Sequence, residues 1–457
     1  MTKNLPLVYK GVPAETLASL FCDGIAYEPW GSAAHKVLVA LAEGKDQEKM
    51  AMLFSALPEW QREKIIGITN ALEGRLQAKR ILEARLKEAR RRAWLAEANS
   101  GMQKLPIRMV GITEKCNRGC LHCGVLAGMG LGTMPYKDFE RYLGLIFPKT
   151  ELVFSYGEPL LYSDGGKDIG DAVSLALERF PHITVGIVTS GIRTPTEMRA
   201  CEKLARLGDF DKTRILITLS VRSFMGDVEH AGRTLKFFVE NGIRIAPRIC
   251  GIPAVRRNGG WKRDASYERG KVLADLVAGF GIRPEDAMKL PTGIHCKRAI
   301  HYMGRMATSR KRIGQAMEDY FGNGSKGSQI VVVRWDSRGS ICDNTEFGLM
   351  PDGSIIPGCC HMVSNFMKIG SLKGANQDSI NEITDQMKKD ARGMLAAARK
   401  GDRANSCIPC VNWFKERDRE GGCAGIRDAK RFMKAIPTSS AMKRLRRIKE
   451  PIPSSFI

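Results

Sequence analysis

Five apolar, β-branched runs alternate with amphipathic stretches between residues 105 and 250, and this alternation restricts the fold more than any other feature. The runs are Ile107–Thr113 (IRMVGIT), Glu151–Ser155 (ELVFS), Ile183–Thr189 (ITVGIVT), Arg214–Ser220 (RILITLS) and Ile243–Ile249 (IRIAPRI). Each reads as a strand. Between them the apolar spacing predicts helices over Tyr136–Phe147, Asp168–Phe180, Thr196–Leu207 and Val228–Asn241. Strands this apolar need cover, and alternating helices supply it, so the pattern calls for repeated βα units on a parallel sheet. Right-handed crossovers then permit an open or closed barrel, or a doubly wound sheet. Gln329–Trp335 (QIVVVRW) offers a sixth, later strand, and Arg256–Asp264 (RRNGGWKRD) reads as a polar loop.

The flanks differ in texture. Residues 1–104 read as a helical domain, with apolar residues at helical spacing over Leu41–Leu57 and Trp60–Leu72. Glu73–Asn99 is rich in helix formers and free of proline. Leu72, Leu76, Leu82, Leu86 and Trp94 lie near one stripe, which Arg90 interrupts, while Arg85, Arg91 and Arg92 point elsewhere. Those arginines make either a basic arm for a partner or a solvated face. Residues 105–335 carry the βα series. Residues 336–426 hold six cysteines and read as a metal-stabilised lobe. Residues 427–457 form a basic tail with a frayed end.

Lys and Arg exceed Asp and Glu by 72 to 49, a net charge of +23. The excess suits anionic partners such as nucleic acid or an acidic peptide, or serves solubility alone. No apolar run reaches the roughly 18 residues of a membrane-spanning helix. The first residues lack an apolar signal core, so a cytoplasmic location is expected.

Cysteine is about 3% of the chain, 13 residues in 457. Cys116-Asn-Arg-Gly-Cys120-Leu-His-Cys123 therefore has odds of about 1% by accident. In a cytosolic chain, clustered thiols read as metal ligands rather than disulfides. Three thiolates this close can hold three irons of a cubic cluster only on a tight loop, which Gly119 eases. The fourth iron is then left open, and an open coordination site implies substrate binding. The loop also follows a strand, at the end where parallel sheets place their sites.

Cys-x3-Cys-x2-Cys after the first strand of a βα series resembles the signature of the radical S-adenosylmethionine (SAM) superfamily. The resemblance implies an α/β fold: a partial (β/α)6-type radical SAM barrel, here with an N-terminal helical domain and a small C-terminal iron–sulfur lobe. It implies a [4Fe–4S] cluster on Cys116, Cys120 and Cys123 whose open iron chelates SAM. One electron then cleaves the sulfonium and yields a 5′-deoxyadenosyl radical that abstracts hydrogen. His122 stands where relatives have an aromatic residue and would pack on the adenine. Ser155-Tyr156-Gly157-Glu158-Pro159 is similar to the family's Gly-Gly-Glu-Pro turn, with Tyr156 replacing the first Gly, and implies contacts to the SAM amino group. Thr189-Ser190-Gly191 is similar to a Thr-Asn-Gly element. Ser220 and Arg222 end the fourth strand, where relatives contact the ribose and carboxylate. The alternative for each of these strand-end residues is a cap or turn.

Cys342, Cys359, Cys360, Cys407, Cys410 and Cys423 form the second group. Asp352-Gly353 reads as a hairpin turn that brings Cys342 near the adjacent pair. The Pro-Asp-Gly hairpin, Lys368-Ile369-Gly370 and the final Cys-x2-Cys…Gly-Gly-Cys resemble the SPASM or twitch extension of some radical SAM enzymes. The likeness implies one auxiliary [4Fe–4S] cluster, with Cys359 and Cys360 competing for one ligand position. A structural zinc is the alternative. Cys296 is either a hydrogen donor near the substrate or an ordinary thiol.

The resemblance implies an enzyme that takes electrons from a donor such as flavodoxin or ferredoxin. Its expected substrate is a peptide or protein, modified as a maturase would. The alternatives are modification of RNA or a small molecule and, from another class, a non-catalytic iron–sulfur or zinc protein that binds nucleic acid.

Overall fold

The computed structural model describes residues 52, 54–57, 59–100, 103–118, 123, 127–221, 228–249, 255–257, 260–262, 347–357 and 368–400. The expected strand over 329–335 lies outside them.

Helix α1 runs unbroken from Glu59 to Asn99, joining two stretches that the sequence suggests separately. Then come β1 (Ile107–Val110), α2 (Tyr136–Leu145), β2 (Glu151–Phe154), a short 3-10 turn (Pro159–Leu161) and the small pair β3 (Ser163–Asp164) and β4 (Lys167–Asp168). The series continues with α3 (Ile169–Arg179), β5 (Thr184–Thr189), α4 (Pro195–Ala205), α5 (Asp209–Arg214), β6 (Ile215–Val221), α6 (Val228–Glu240) and β7 (Arg244–Ile249). Asp168 and Thr194 cap α3 and α4 with reciprocal capping boxes, which sets where each helix starts. Val255–Arg257 (β8) and Gly260–Lys262 (β9) pair antiparallel, so the stretch read as a loop is a hairpin. The Asn258-Gly259 dipeptide between them is the sequence signal for such a turn.

The main sheet has the order β12-β11-β10-β1-β2-β5-β6-β7. It is parallel from β10 (Phe347–Leu349) to β7, while β11 (Ser354–Pro357) and β12 (Gly370–Ser371) add antiparallel at one edge. From β1 to β7 the main-sheet strands lie in sequence order without a reversal. A doubly wound sheet needs a reversal at its switch point; this sheet is wound one way and is open among the described residues. Right-handed crossovers then place the connecting helices on one face.

That face is the core. Phe139 and Tyr142 of α2, Val173 and Leu177 of α3, Leu204 of α4 and Phe238 of α6 join Phe154, Ile187, Ile217 and Ile245 of the strands in one cluster. β6 shows the alternation: Ile215, Ile217, Leu219 and Val221 are buried, while Leu216, Thr218 and Ser220 are half-buried on the other face. Pro247 sits on β7, an edge strand among the described residues, the kind of position that tolerates proline.

The hairpin at Asp352-Gly353 forms as the sequence suggests, with Gly353 at φ +82°. Its first strand pairs parallel with β1, Val110 opposite Leu349. The start of the cysteine-bearing region is thus an extension of the main sheet. Helix α7 spans Gln377–Lys400.

At the N-terminal ends of the strands α1 meets the segments that lead into the sheet. Lys104 before β1 pairs with Glu97, Phe147 before β2 takes the ring of Trp94 edge-on at 6.2 Å, and Phe210 before β6 lies under Arg85 at 5.1 Å. Leu82 and Leu86 of the expected stripe are buried, whereas Trp94 stays 52% exposed. Arg91 and Arg92 share Glu88 on the outer side, which holds that carboxylate down at about 2.

Candidate active site

The opposite ends of β1, β2 and β5 build the site. After β1 the chain makes a long excursion with a pinned neck. Met134 N–H donates to Ile112 O at 2.9 Å, Glu114 N–H donates to Gly132 O at 2.8 Å, and the Thr113 and Thr133 hydroxyls meet at 2.9 Å. The cysteine loop is what this neck closes off. Cys116 and Cys123 are half-buried thiols on it, and neither is in a disulfide. Cys120 and His122 lie outside the described residues. Cys201 is the contrast: it is fully buried on α4, and burial pushes its thiol well up, as suits an inert core residue.

The turn after β2 lies directly against this loop. A Cβ on Gly157 would collide with Thr113 O and stand 2.7 Å from Lys115 O, so only glycine fits. Glu158 N–H donates to Lys115 O at 2.8 Å, which seals the contact. Tyr156 has φ +80°, the left-handed region that glycine enters freely. That conformation costs a tyrosine about 1–2 kcal/mol. Its ring is buried with Met109, Met350 and Ile356, which contributes about 2–3 kcal/mol and outweighs the strain. Gly348 and Gly111 leave the space: a Cβ on either would approach the tyrosine to 2.7 Å and 2.9 Å.

Glu158 is 1% exposed and ties β2 to β5. The Thr189 hydroxyl donates to its Oε1 at 2.6 Å, and Ser190 donates to its Oε2 through N–H at 2.9 Å and hydroxyl at 3.0 Å. Burial pushes the carboxyl up, while the Arg118 charge and these bonds pull against it. Pro159 is buried at the start of the 3-10 turn that Glu158 caps.

Arg118, in the cysteine loop, is 5% exposed. Its Nη2 donates to Gly191 O at 2.6 Å and to Glu197 Oε1 at 2.8 Å, and its Nε stands 3.9 Å from Glu158 Oε2. Asn117 Nδ2 donates to the same Glu197 oxygen at 3.3 Å. Glu197 Oε2 accepts the N–H groups of Arg193 and Thr194 at the start of α4.

The structure therefore brings Cys116, Tyr156, Gly157, Glu158, Pro159 and Ser190 to one end of the sheet, with Cys123 seven residues further along the same loop. Ser220 sits half-buried at the matching end of β6, in register with Arg248 of β7. Arg222, Cys296, Cys342, Cys359, Cys360, Cys407, Cys410 and Cys423 lie outside the described residues. Sequence reading missed Arg118 and Glu197. The signal for Glu197 is the Thr194-Pro-Thr-Glu197 capping pattern; for Arg118 it is a lone charge between two cysteines. Two half-buried thiols outside any disulfide on one strand-end loop, with Cys120 between them in sequence, fit a thiolate-ligated iron–sulfur cluster.

Residues 110–255 match the family model of the Radical SAM superfamily. The matched stretch runs from the end of β1 to the start of β8, so the likeness to a radical SAM domain falls on the strands that build the site. No curated protein matches it significantly. Among solved structures, SuiB of Streptococcus suis bound to the precursor peptide SuiA is 17% identical, with a TM-score of 0.32 over 62% of this chain and 63% of SuiB. The chain thus spans under two thirds of SuiB. BtrN in complex with AdoMet and 2-DOIA is 16% identical, with a TM-score of 0.32 over 66% of this chain and 92% of BtrN. Among the described residues no helix is long and apolar enough to cross a membrane.

Proposed function

We propose that the enzyme cleaves SAM reductively on a [4Fe–4S] cluster and uses the resulting radical to abstract hydrogen from a peptide or protein. Cys116, Cys120 and Cys123 would hold the cluster, which when bound supplies one electron to the sulfonium of SAM. The protein's own part is placement and exclusion of water. Gly157 lets the cysteine loop press onto the β2 turn, and Glu158 fixes the β5 end beside it. With both its oxygens engaged by Thr189 and Ser190, Glu158 shapes the SAM pocket by holding its walls. Tyr156 and Gly157 offer backbone carbonyls to the SAM amino group. Ser190, Ser220 and Arg222 offer polar groups to the rest of SAM, and His122 a ring for its adenine.

The observation that carries this reading is the convergence of the cysteine loop, the Gly157-Glu158 turn and Thr189-Ser190 at one end of a parallel sheet. Cys342, Cys359 or Cys360, Cys407, Cys410 and Cys423 would hold one auxiliary [4Fe–4S] cluster, by resemblance to SPASM and twitch lobes. Many enzymes with such lobes modify peptides, and a net charge of +23 suits an acidic one.

The test is chemical. Anaerobically reconstituted protein reduced with dithionite should convert SAM to 5′-deoxyadenosine and methionine, and Cys116→Ala or Cys123→Ala should lower the rate at least ~100-fold. A fully loaded protein that leaves SAM intact would refute the reading. Iron, sulfide and zinc counts on the same preparation decide the auxiliary site. Salt-dependent capture of RNA without SAM turnover would favour a nucleic-acid-binding protein instead.

A further inference from the structure

We propose that Arg118 is a positioning residue that fixes where the cysteine loop stands relative to the SAM pocket. This rests on the radical SAM reading above.

Arg118 lies two positions after Cys116 and two before Cys120. A charged side chain so deep in the protein is expensive to bury unless it is paired with opposite charge and hydrogen-bonded. Here one guanidinium spans three elements. Gly191 O, just past β5, accepts at 2.6 Å; Glu197 of α4 accepts at 2.8 Å; Glu158, in the turn after β2, stands 3.9 Å away. The acceptors are anchored in turn. Glu197 is held by the N–H groups of Arg193 and Thr194, and Glu158 by Thr189 and Ser190. Asn117 adds a second bond from the same loop to Glu197. The loop is therefore fastened from its interior to the walls of the proposed pocket, as well as at its neck.

A planar fork with fixed donor directions can hold such a joint at one distance and angle. A lysine keeps the charge but reaches only as a point, so the loop would stay attached with its position less defined. The consequence should fall on the encounter between cluster and SAM more than on folding. Reaction geometry tolerates little displacement: about 1 Å can cost ~100-fold in rate.

The experiment compares Arg118→Lys, Arg118→Met and Glu197→Gln with Arg214→Lys. Arg214 is a buried arginine at the other end of the sheet, bonded to Leu177, Phe180 and Ile183 carbonyls. Each reconstituted variant is assayed for iron and sulfide content, Tm, and KM and kcat for SAM cleavage. Arg118→Lys should load its cluster and raise KM for SAM about tenfold, with a larger effect in Arg118→Met. Glu197→Gln should fall between wild type and Arg118→Lys, because it keeps an acceptor for the fork. Arg214→Lys should lower Tm and leave KM alone. The proposal is overturned if folded, loaded Arg118→Lys keeps the wild-type KM, or if its KM rises no more than that of Arg214→Lys at the same loss of Tm. If neither Arg118 variant folds, an unchanged KM in Glu197→Gln overturns it and a raised KM supports it. Wild-type protein that holds its cluster yet never cleaves SAM sinks the functional reading instead, so the two failures are distinct.

Discussion

The two ends of one sheet are built from opposite materials. At the N-terminal ends, α1 lies across the entering segments, and His182 stacks on Phe147 at 5.1 Å with its Nε2 on Pro148 O. Arg214 there satisfies three backbone carbonyls. These are contacts that close a core. At the C-terminal ends, a non-glycine residue takes a left-handed backbone, a glycine has no clearance, and two carboxylates share one buried arginine. Backbone strain and buried carboxylates are features that proteins keep at working sites. The difference teaches that the lower end holds the fold together and the upper end holds groups in place.

The comparison breaks most readily at Gly157. Gly157→Ala forces the β2 turn off Thr113 and Lys115, and should cost about 2–4 kcal/mol of stability. SAM cleavage should fall at least ~100-fold, since the displaced wall is the proposed pocket. Chemical denaturation and a turnover assay read both. Next comes Arg214→Met, which strands its carbonyls and should cost about 3 kcal/mol while leaving KM for SAM unchanged. Tyr156→Gly is smaller: the relieved strain of about 1–2 kcal/mol offsets part of a cavity cost of about 3–5 kcal/mol. A net loss near 2 kcal/mol is expected on denaturation.

The ends should also answer pH with opposite signs. Burial holds the His182 imidazole below its ordinary value, with Arg90 and Arg214 adding to the effect. The unfolded chain therefore takes the proton first as pH falls. Stability from this group is full above about pH 6.5 and declines below it, and His182→Gln should remove the slope. Glu158 is pushed up, so the folded chain keeps its proton where the unfolded chain has lost it. Stability from this group is full below the ordinary carboxylate range and declines as pH rises through its folded pKa. Glu158→Gln should flatten that limb in a pH series of denaturation curves.

The sequence carried much of the upper end because its motifs are local. Cys116 to Cys123, the Gly157-Glu158 turn and Thr189-Ser190 each sit within a few residues of a strand whose apolar run is plain. The strand and helix positions were legible for the same reason, with ends shifting where Asp168 and Thr194 cap helices. What could not be read was long-range. The pairing of β10 with β1 joins Ile107 to Phe347, and no local pattern encodes it. One-way winding and the left-handed Tyr156 follow from packing across the sheet. Arg118 was invisible as a partner of Glu158 and Glu197, because an arginine in a loop reads as a solvent-facing charge until three strand ends close around it.

The most direct measurement is the electron paramagnetic resonance spectrum of the reduced, fully loaded protein, recorded with and without SAM. If the upper end holds SAM against the cluster on the cysteine loop, adding SAM should change the g-values of the signal. Gly157→Ala that retains its cluster should show little of that change. A wild-type spectrum that SAM leaves untouched would contradict the account.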